Sequence, residues 1–465
     1  MWKKLIFALT LLVTPALAQA AITSDAQWEV RSSGDNTNGS CFDTGASGTD
    51  YSQQDAAQLS ITDGVVVEAA PTTLTSVTAG FTSAMVGNCF YIASGTNFTV
   101  GYYLITAYTS STTVTIDRDP TDGDGGDGSG GTLKVGGAAD DPEQVSASVV
   151  AGNTVWIKAG TYTVALNVDV SGGGTTPIAW KGYNTTRDDK PTGTDRPLID
   201  CASTLANGIV QDVADQTYRH VRVANCTGDG ILYGAGATFI NVKSSSNGDE
   251  GWDDSANVSI NCFRCESASN GGFGFEATAS ATASGISVGG TYIHDNTSGG
   301  VNSGNQGSVF YSVVEANSGD GIDETLNCIN SIAHGNTGAG SDGFDELIST
   351  AYYINCVSTS NGQYGFSGTD SYGAFDFNAY NGNGTAGLNV MTSGENDLTS
   401  APNFTDSANG DYTYQASSAY IGTGFPNTLT SLGLIGDYQM NIGLDQDDNT
   451  VAGGVTGTQS VGVAW

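Results

Sequence analysis

The sequence predicts an all-β fold: a right-handed parallel β-helix with a small inserted β-domain near its N-terminus. Three observations predict it. First, a short phrase recurs, made of Asn, three variable residues, Gly and usually a large apolar residue. It reads Asn247…Gly251-Trp252, Asn270…Gly274-Phe275, Asn296…Gly300-Val301, Asn317…Gly321-Ile322, Asn361…Gly365-Phe366 and Asn383…Gly387-Leu388, with a slipped copy at Asn336…Gly340 and a partial one at Gly230-Ile231. Successive Asn residues stand 23, 26, 21, 19, 25 and 22 residues apart, the spacing of units that bury their apolar faces only by stacking on neighbours. Second, the segments before each Asn alternate at period two, as in Phe239-Ile-Asn-Val242 and Tyr353-Ile-Asn-Cys356, which is the strand period and not the helical one. Third, Gly, Asn, Ser, Thr and Asp fill the joints, with no helical run of a dozen residues and no Leu ladder. In such a coil the recurring Asn amide is expected to bond to the backbone and to the Asn of the next turn, while the Gly permits a tight corner or a close approach.

In chain order, residues 1–20 read as a secretory signal. Lys3 and Lys4 precede the apolar run Leu5–Val13, and Ala18-Gln19-Ala20 offers a cleavage site. That run is too short to span a bilayer, and no later one is long enough; an exported protein is expected, secreted or held on a cell or virion surface. Residues 21–56 carry a first strand around Trp28 and the cap of the helix. Residues 57–136 change texture, with β-branched runs at Val65–Val67, Tyr102–Thr109 and Thr112–Ile116 and no Asn–Gly phrase; they read as the inserted β-domain. Its Asp/Gly-rich stretch at 122–131 lacks the spaced ligands of a calcium loop and reads as a loop. Residues 137–400 form the helix, and 401–465 the final coils and C-terminal cap.

Asp141-Pro-Glu-Gln144, Val149–Tyr162, Pro177–Tyr183 and Arg196–Asp200 follow one another in a way that resembles the opening turns of the pectate-lyase-like superfamily, with Asn153 for the usual Asp and Cys201 for the usual Gly. Ala401–Phe404, Gly410–Tyr414, Ser418–Gly424 and the terminal Val461–Trp465 are similar to that superfamily's closing segment, without its Pro and Asp. The resemblance implies a β-helix, secreted by bacteria or associated with phages. It leaves the chemistry open, because the superfamily spans lyases, hydrolases, epimerases, tailspikes and adhesins.

The chain has 65 Gly and carries 14 Lys plus Arg against 48 Asp plus Glu, a formal charge of −34. This balance excludes a binder of nucleic-acid backbones and disfavours polyanionic substrates. Equivalent positions of successive turns lie about 4.8 Å apart and form columns. One outward column reads Leu232, Asp253, Glu276, Asn302, Asp323, then Asp342 or Asp345, then Ser367. Asp249, Glu250, Asp254, Asp320, Glu324 and Glu346 lie beside it. Stacked carboxylates repel unless cations or protons intervene, so calcium is the expected ion, held by Asp320, Asp323, Glu324, Asp342, Asp345 and Glu346. A second column, two residues before each Asn, reads Ser245, Ala268, His294, Glu315, His334, Thr359. Its His–Glu–His run offers acid–base groups, although the two His are two turns apart, wide for one metal. Catalytic candidates are thus Asp323, Asp345, Glu276, Asp253, Glu315, His294 and His334.

No Lys or Arg follows Arg264, so a lyase site could draw only on Arg219, Arg222, Lys243 or Arg264. Two function classes remain: a β-helix that binds extracellular or cell-surface glycans in an adhesin, tailspike-like or structural role, and a glycan-cleaving enzyme, for which a hydrolase with paired carboxylates suits the sequence better than a lyase. The oligomeric state stays open, a trimer included. Of eight cysteines, Cys262, Cys265, Cys328 and Cys356 are expected to be reduced packing residues, because equivalent positions several turns apart exceed disulfide reach. Any bridges are expected at Cys41–Cys89 or Cys201–Cys226.

Overall fold

The computed structural model describes residues 22–121, 126–277, 285–304, 306–347, 351–368, 373–415 and 417–420. The leader and the terminal strand expected at 461–465 lie outside them. Three sheets of parallel strands run along a coil of about ten turns: sheet I with twelve strands, one of them antiparallel at its N-terminal edge, and sheets II and III with ten each. Each turn visits them in the same order, as in Ala237–Ile240, Lys243–Ser245 and Trp252–Asp254. The chain is a parallel β-helix.

Two left-handed bends set the cross-section. Between sheets I and II the chain turns at His220, Asn241, Arg264, Gly290, Tyr311, Asn330, Asn355 and Phe377, with φ between 53° and 60°. After sheet II it turns again at Asn225, Ser246, Ser269, Asp295, Ala316, Gly335, Ser360 and Gly382. Most of these are not Gly, and a left-handed L-residue costs roughly 1–2 kcal/mol; pairing on both sides of each bend holds it.

The Asn ladder takes the expected form. Nδ2 of Asn247 donates to Oδ1 of Asn270 at 2.9 Å, and the pattern repeats through Asn296, Asn317, Asn336, Asn361 and Asn383 at 2.9 to 3.1 Å. The same Oδ1 accepts the backbone N–H of the preceding Asn, as in Asn296 N to Asn317 Oδ1 at 3.0 Å. The phrase glycines serve close approach and not torsion: a Cβ on Gly251 would fall 2.5 Å from the Gly274 carbonyl oxygen and 2.9 Å from Asn270 Nδ2. In the slipped turn that place belongs to Gly343, not Gly340, because three extra residues follow Asn336.

The residues after those glycines point inward. Trp252, Phe275, Val301, Ile322, Phe344 and Phe366 are fully buried and Leu388 packs at the edge of the same core. Trp252 stacks on Phe275 at 4.3 Å and Phe344 on Phe366 at 4.5 Å. Burying each such side chain contributes about 1.5–3 kcal/mol.

The inserted segment is a closed six-stranded antiparallel barrel running from Leu59–Val66 to Gly128–Val135, with its own core around Ile61, Phe90, Ile92 and Leu133. Its last strand includes Gly128–Gly131, which the sequence assigned to a loop; residues 122–125 lie outside the described set. Cys41–Cys89 ties the barrel to the first coil, and Cys201–Cys226 joins two adjacent turns. Cys262 and Cys265 form a third bridge, contrary to expectation. The left-handed bend at Arg264 brings Cys265 back beside Cys262 within one turn, Cα to Cα 6.0 Å. Cys328 and Cys356 are free and buried.

Downstream, the hairpin Phe404–Asp406 with Asp411–Tyr414 folds back onto the outside of sheet II. There Tyr412 joins Val313, Ile332, Val357 and Ala379 in a separate small core.

Candidate functional site

The outer face of sheet III carries two columns of side chains. Strand register links Leu232, Asp253, Glu276, Asn302, Asp323 and Asp345 in one line. The slipped turn therefore contributes Asp345, and Asp342 belongs to the neighbouring line. That second line lies three residues earlier in each turn and holds Asp229, Glu250, Phe273, Gly299, Asp320 and Asp342.

Asp229, Asp249 and Glu250 each offer an oxygen within 4.8 Å of the others, and so do Asp320, Asp342 and Asp345. Part of this carboxylate serves the fold. Asp320 Oδ1 accepts the backbone N–H of Asp342 at 2.6 Å, and Asp342 Oδ1 that of Tyr364 at 2.8 Å. Asp229 Oδ1 accepts from Glu250 N at 3.3 Å.

Of the six predicted metal ligands, Asp320, Asp342 and Asp345 thus converge. Asp323 sits one strand from Asp345 in the same column. Glu324 lies beyond the strand at a left-handed bend, φ 47°, and the side chain of Glu346 is outside the described residues. Asp254 is buried and accepts the N–H groups of Ala256 and Val258, a loop cap.

Burial and crowding keep protons on this face. Glu250 is pushed up to about 9, first by burial and then by Asp249, Glu276 and Asp229 around it. Burial, with Asp229 and Glu276 nearby, raises Asp253 to about 6. Asp342 is raised to about 6 by burial, with a further push from Asp345. Between the two acidic groups Phe273 lies flat against the next turn: a Cβ on Gly299 would come within 2.4 Å of its Cε1. Asp229 and Phe273 escaped the sequence reading, which followed the column after the apolar residue and not the one two before it.

The second predicted column is also real: Ser245, Ala268, His294, Glu315, His334 and Thr359 pair in register on sheet II. Its members do not act together. Asp295 faces His294 Nδ1 at 2.7 Å, Glu266 Oε1 lies 3.5 Å from Nε2, and the ring stacks on Tyr292 at 4.1 Å. Burial lowers the His294 pKa, but the two carboxylates outweigh it and the net shift is upward. Lys243 Nζ reaches Glu266 at 2.6 Å. Burial raises the Glu266 pKa, yet His294 and Lys243 bring it down to about 2. Glu315 is buried and accepts the Tyr292 hydroxyl. His334 is walled off by Phe404 and Tyr412 of the folded-back hairpin, and burial lowers its pKa. Among the described residues no group able to hold a metal includes this column.

No protein-family model matches the chain, and no curated protein does. Several solved structures are similar in fold. Pectate lyase Pel9A is 15% identical with a TM-score of 0.47, over 62% of this chain and 87% of that one. A rhamnogalacturonan lyase is 13% identical with a TM-score of 0.40, over 64% and 95%. The tailspike protein gp49 from Pseudomonas phage LKA1 is 12% identical with a TM-score of 0.28, over 74% and 60%.

Proposed function

We propose that this β-helix binds extracellular glycans on the outer face of sheet III, with calcium at Asp320, Asp342 and Asp345. The observation that carries the reading is Phe273 packed against Gly299, with carboxylates one and two turns away on its N-terminal side and two and three turns away on its C-terminal side. An aromatic face stacks on the C–H face of a sugar, and carboxylates accept hydrogen bonds from its hydroxyls; both are needed to hold a neutral glycan. Calcium fits the Asp320 group because its ligands are hard oxygens on a semi-rigid scaffold. The disulfides suit an oxidising, exported setting.

A second reading is a glycoside hydrolase, favoured by Glu250. A carboxyl kept protonated to about pH 9 with the carboxyl groups of Asp249, Glu276 and Asp229 around it offers the proton donor and neighbouring carboxylate that glycosidic cleavage uses. A panel of neutral glycans scored for retention and for new reducing ends separates the readings. Retention lost in Phe273→Ala, with no reducing ends from wild type, supports the binder. Reducing ends that vanish in Glu250→Gln support the enzyme. Wild-type retention unchanged by Phe273→Ala would remove sheet III as the glycan surface.

A further inference from the structure

The outer face of sheet I differs from the rest of the molecule. One column of outward side chains runs Arg219, Ile240, Phe263, Gly289, Phe310, Ile329, Ile354, Asp376, each paired in register with the next. Phe263 is 36% exposed and Ile329 40%, and Tyr311 and Tyr352 beside them are each 48% exposed. The parallel outward column, Thr217, Thr238, Asn261, Ser287, Ser308, Asn327, Tyr352, contains no carboxylate. In a chain of formal charge −34, this strip is bordered by Arg219 at one end, with Lys181 next to it in the same column, and by Asp376 at the other.

The order of the column reads nearly the same from both ends once charge is inverted. Folding it about the midpoint between Gly289 and Phe310 sets Arg219 against Asp376, Ile240 against Ile354, Phe263 against Ile329, and Gly289 against Phe310. A two-fold axis through that midpoint places each residue of one copy opposite such a partner on the other, as an isologous interface requires. We propose that the strip is a self-complementary interface on which a second copy of this chain docks antiparallel. On this face apolar area meets apolar area and the end charges attract. The two sheets then pack face to face about 10 Å apart with the modest twist usual for aligned sheets.

Sedimentation velocity on the full chain tests this. Wild type is expected at twice the mass of one chain, and Phe263→Glu and Ile329→Glu at the mass of one chain with unchanged circular dichroism and melting temperature. Both positions are on the surface, so loss of fold is separable from loss of pairing. Arg219→Asp is expected to weaken pairing roughly tenfold by setting like charges opposite each other, and Arg219→Asp with Asp376→Arg to restore it. That rescue requires the antiparallel arrangement. A wild type at single-chain mass up to high micromolar concentration, a three-chain mass, or failure of the charge swap to rescue would each overturn the proposal. Loss of glycan retention by the Phe263 variant of a single-chain wild type would assign the strip to sugar instead.

Discussion

In the first coils Glu29 is completely buried, with Arg31 Nε at 2.7 Å and Arg187 Nη2 at 2.7 Å, and Arg187 also reaches Asp50 at 2.9 Å. In the turns beyond Arg264 the backbone path is the same, yet no Lys or Arg exists to meet a carboxylate. The early coils neutralise acid with fixed cations built into the chain. The later ones, together with the Glu250 cluster, hold theirs by protonation or leave room for an ion. The contrast teaches that one scaffold supports two electrostatic regimes, one with cations built into the chain and one without.

Breaking the first regime is expected to have the largest effect. Arg187→Met leaves Glu29 buried with one cationic partner in place of two, beside the Tyr183 hydroxyl, and should lower unfolding free energy by about 3 kcal/mol in urea titrations, with little dependence on calcium. The second regime should respond to the ion instead. Calcium at a hundredfold excess over its dissociation constant adds about 2.7 kcal/mol, read as a raised melting temperature. Asp342→Asn with Asp345→Asn should remove most of that gain, and sodium at matched ionic strength should not reproduce it.

Next in size is the ladder common to the later turns. Asn317→Ala removes the Oδ1 that accepts from the Asn296 backbone N–H and from one Asn296 amide hydrogen, at about 1–3 kcal/mol, and calcium should not rescue it. A separate effect is in pH. Glu250 moves from 4.5 to about 9 on folding, and Asp253 and Asp342 from 3.8 to about 6. Between each pair of values the folded chain binds more protons than the unfolded one, so stability falls as pH rises across those windows. Melting temperature without calcium should decline from about pH 4 to 9, and Glu250→Gln should flatten the stretch between 6 and 9.

The register of the coil was legible because the Asn phrase is an inward, hydrogen-bonded position with one chemical solution. Asn247 through Asn383 announce themselves for that reason. The bends between sheets I and II were not, since His220, Arg264, Tyr311 and Phe377 share a backbone angle and no chemistry. Missing that bend also hid the Cys262–Cys265 bridge, which depends on it. The carboxylate column was readable residue by residue. Asp229 and Phe273 were missed because Phe273 and Gly299 interrupt the acids of the neighbouring column, so no repeated letter marks it. The hairpin over His334 rests on contacts between residues some seventy positions apart, for which no local pattern exists.

The Asn ladder has a direction. Every side-chain amide from Asn247 to Asn361 donates one hydrogen to the next Asn towards the C-terminal end of the coil. Those of Asn296, Asn317, Asn336 and Asn361 also reach back to a carbonyl of the preceding turn, and Asn383 ends the series with its Nδ2 bonded back to the Ser358 carbonyl at 3.2 Å. A chain emerging N-terminus first therefore completes each turn with one amide hydrogen still waiting for an acceptor that the next turn supplies. Growth is rewarded one way along the axis, like a zipper with a single slider, and the last coil acts as its stop.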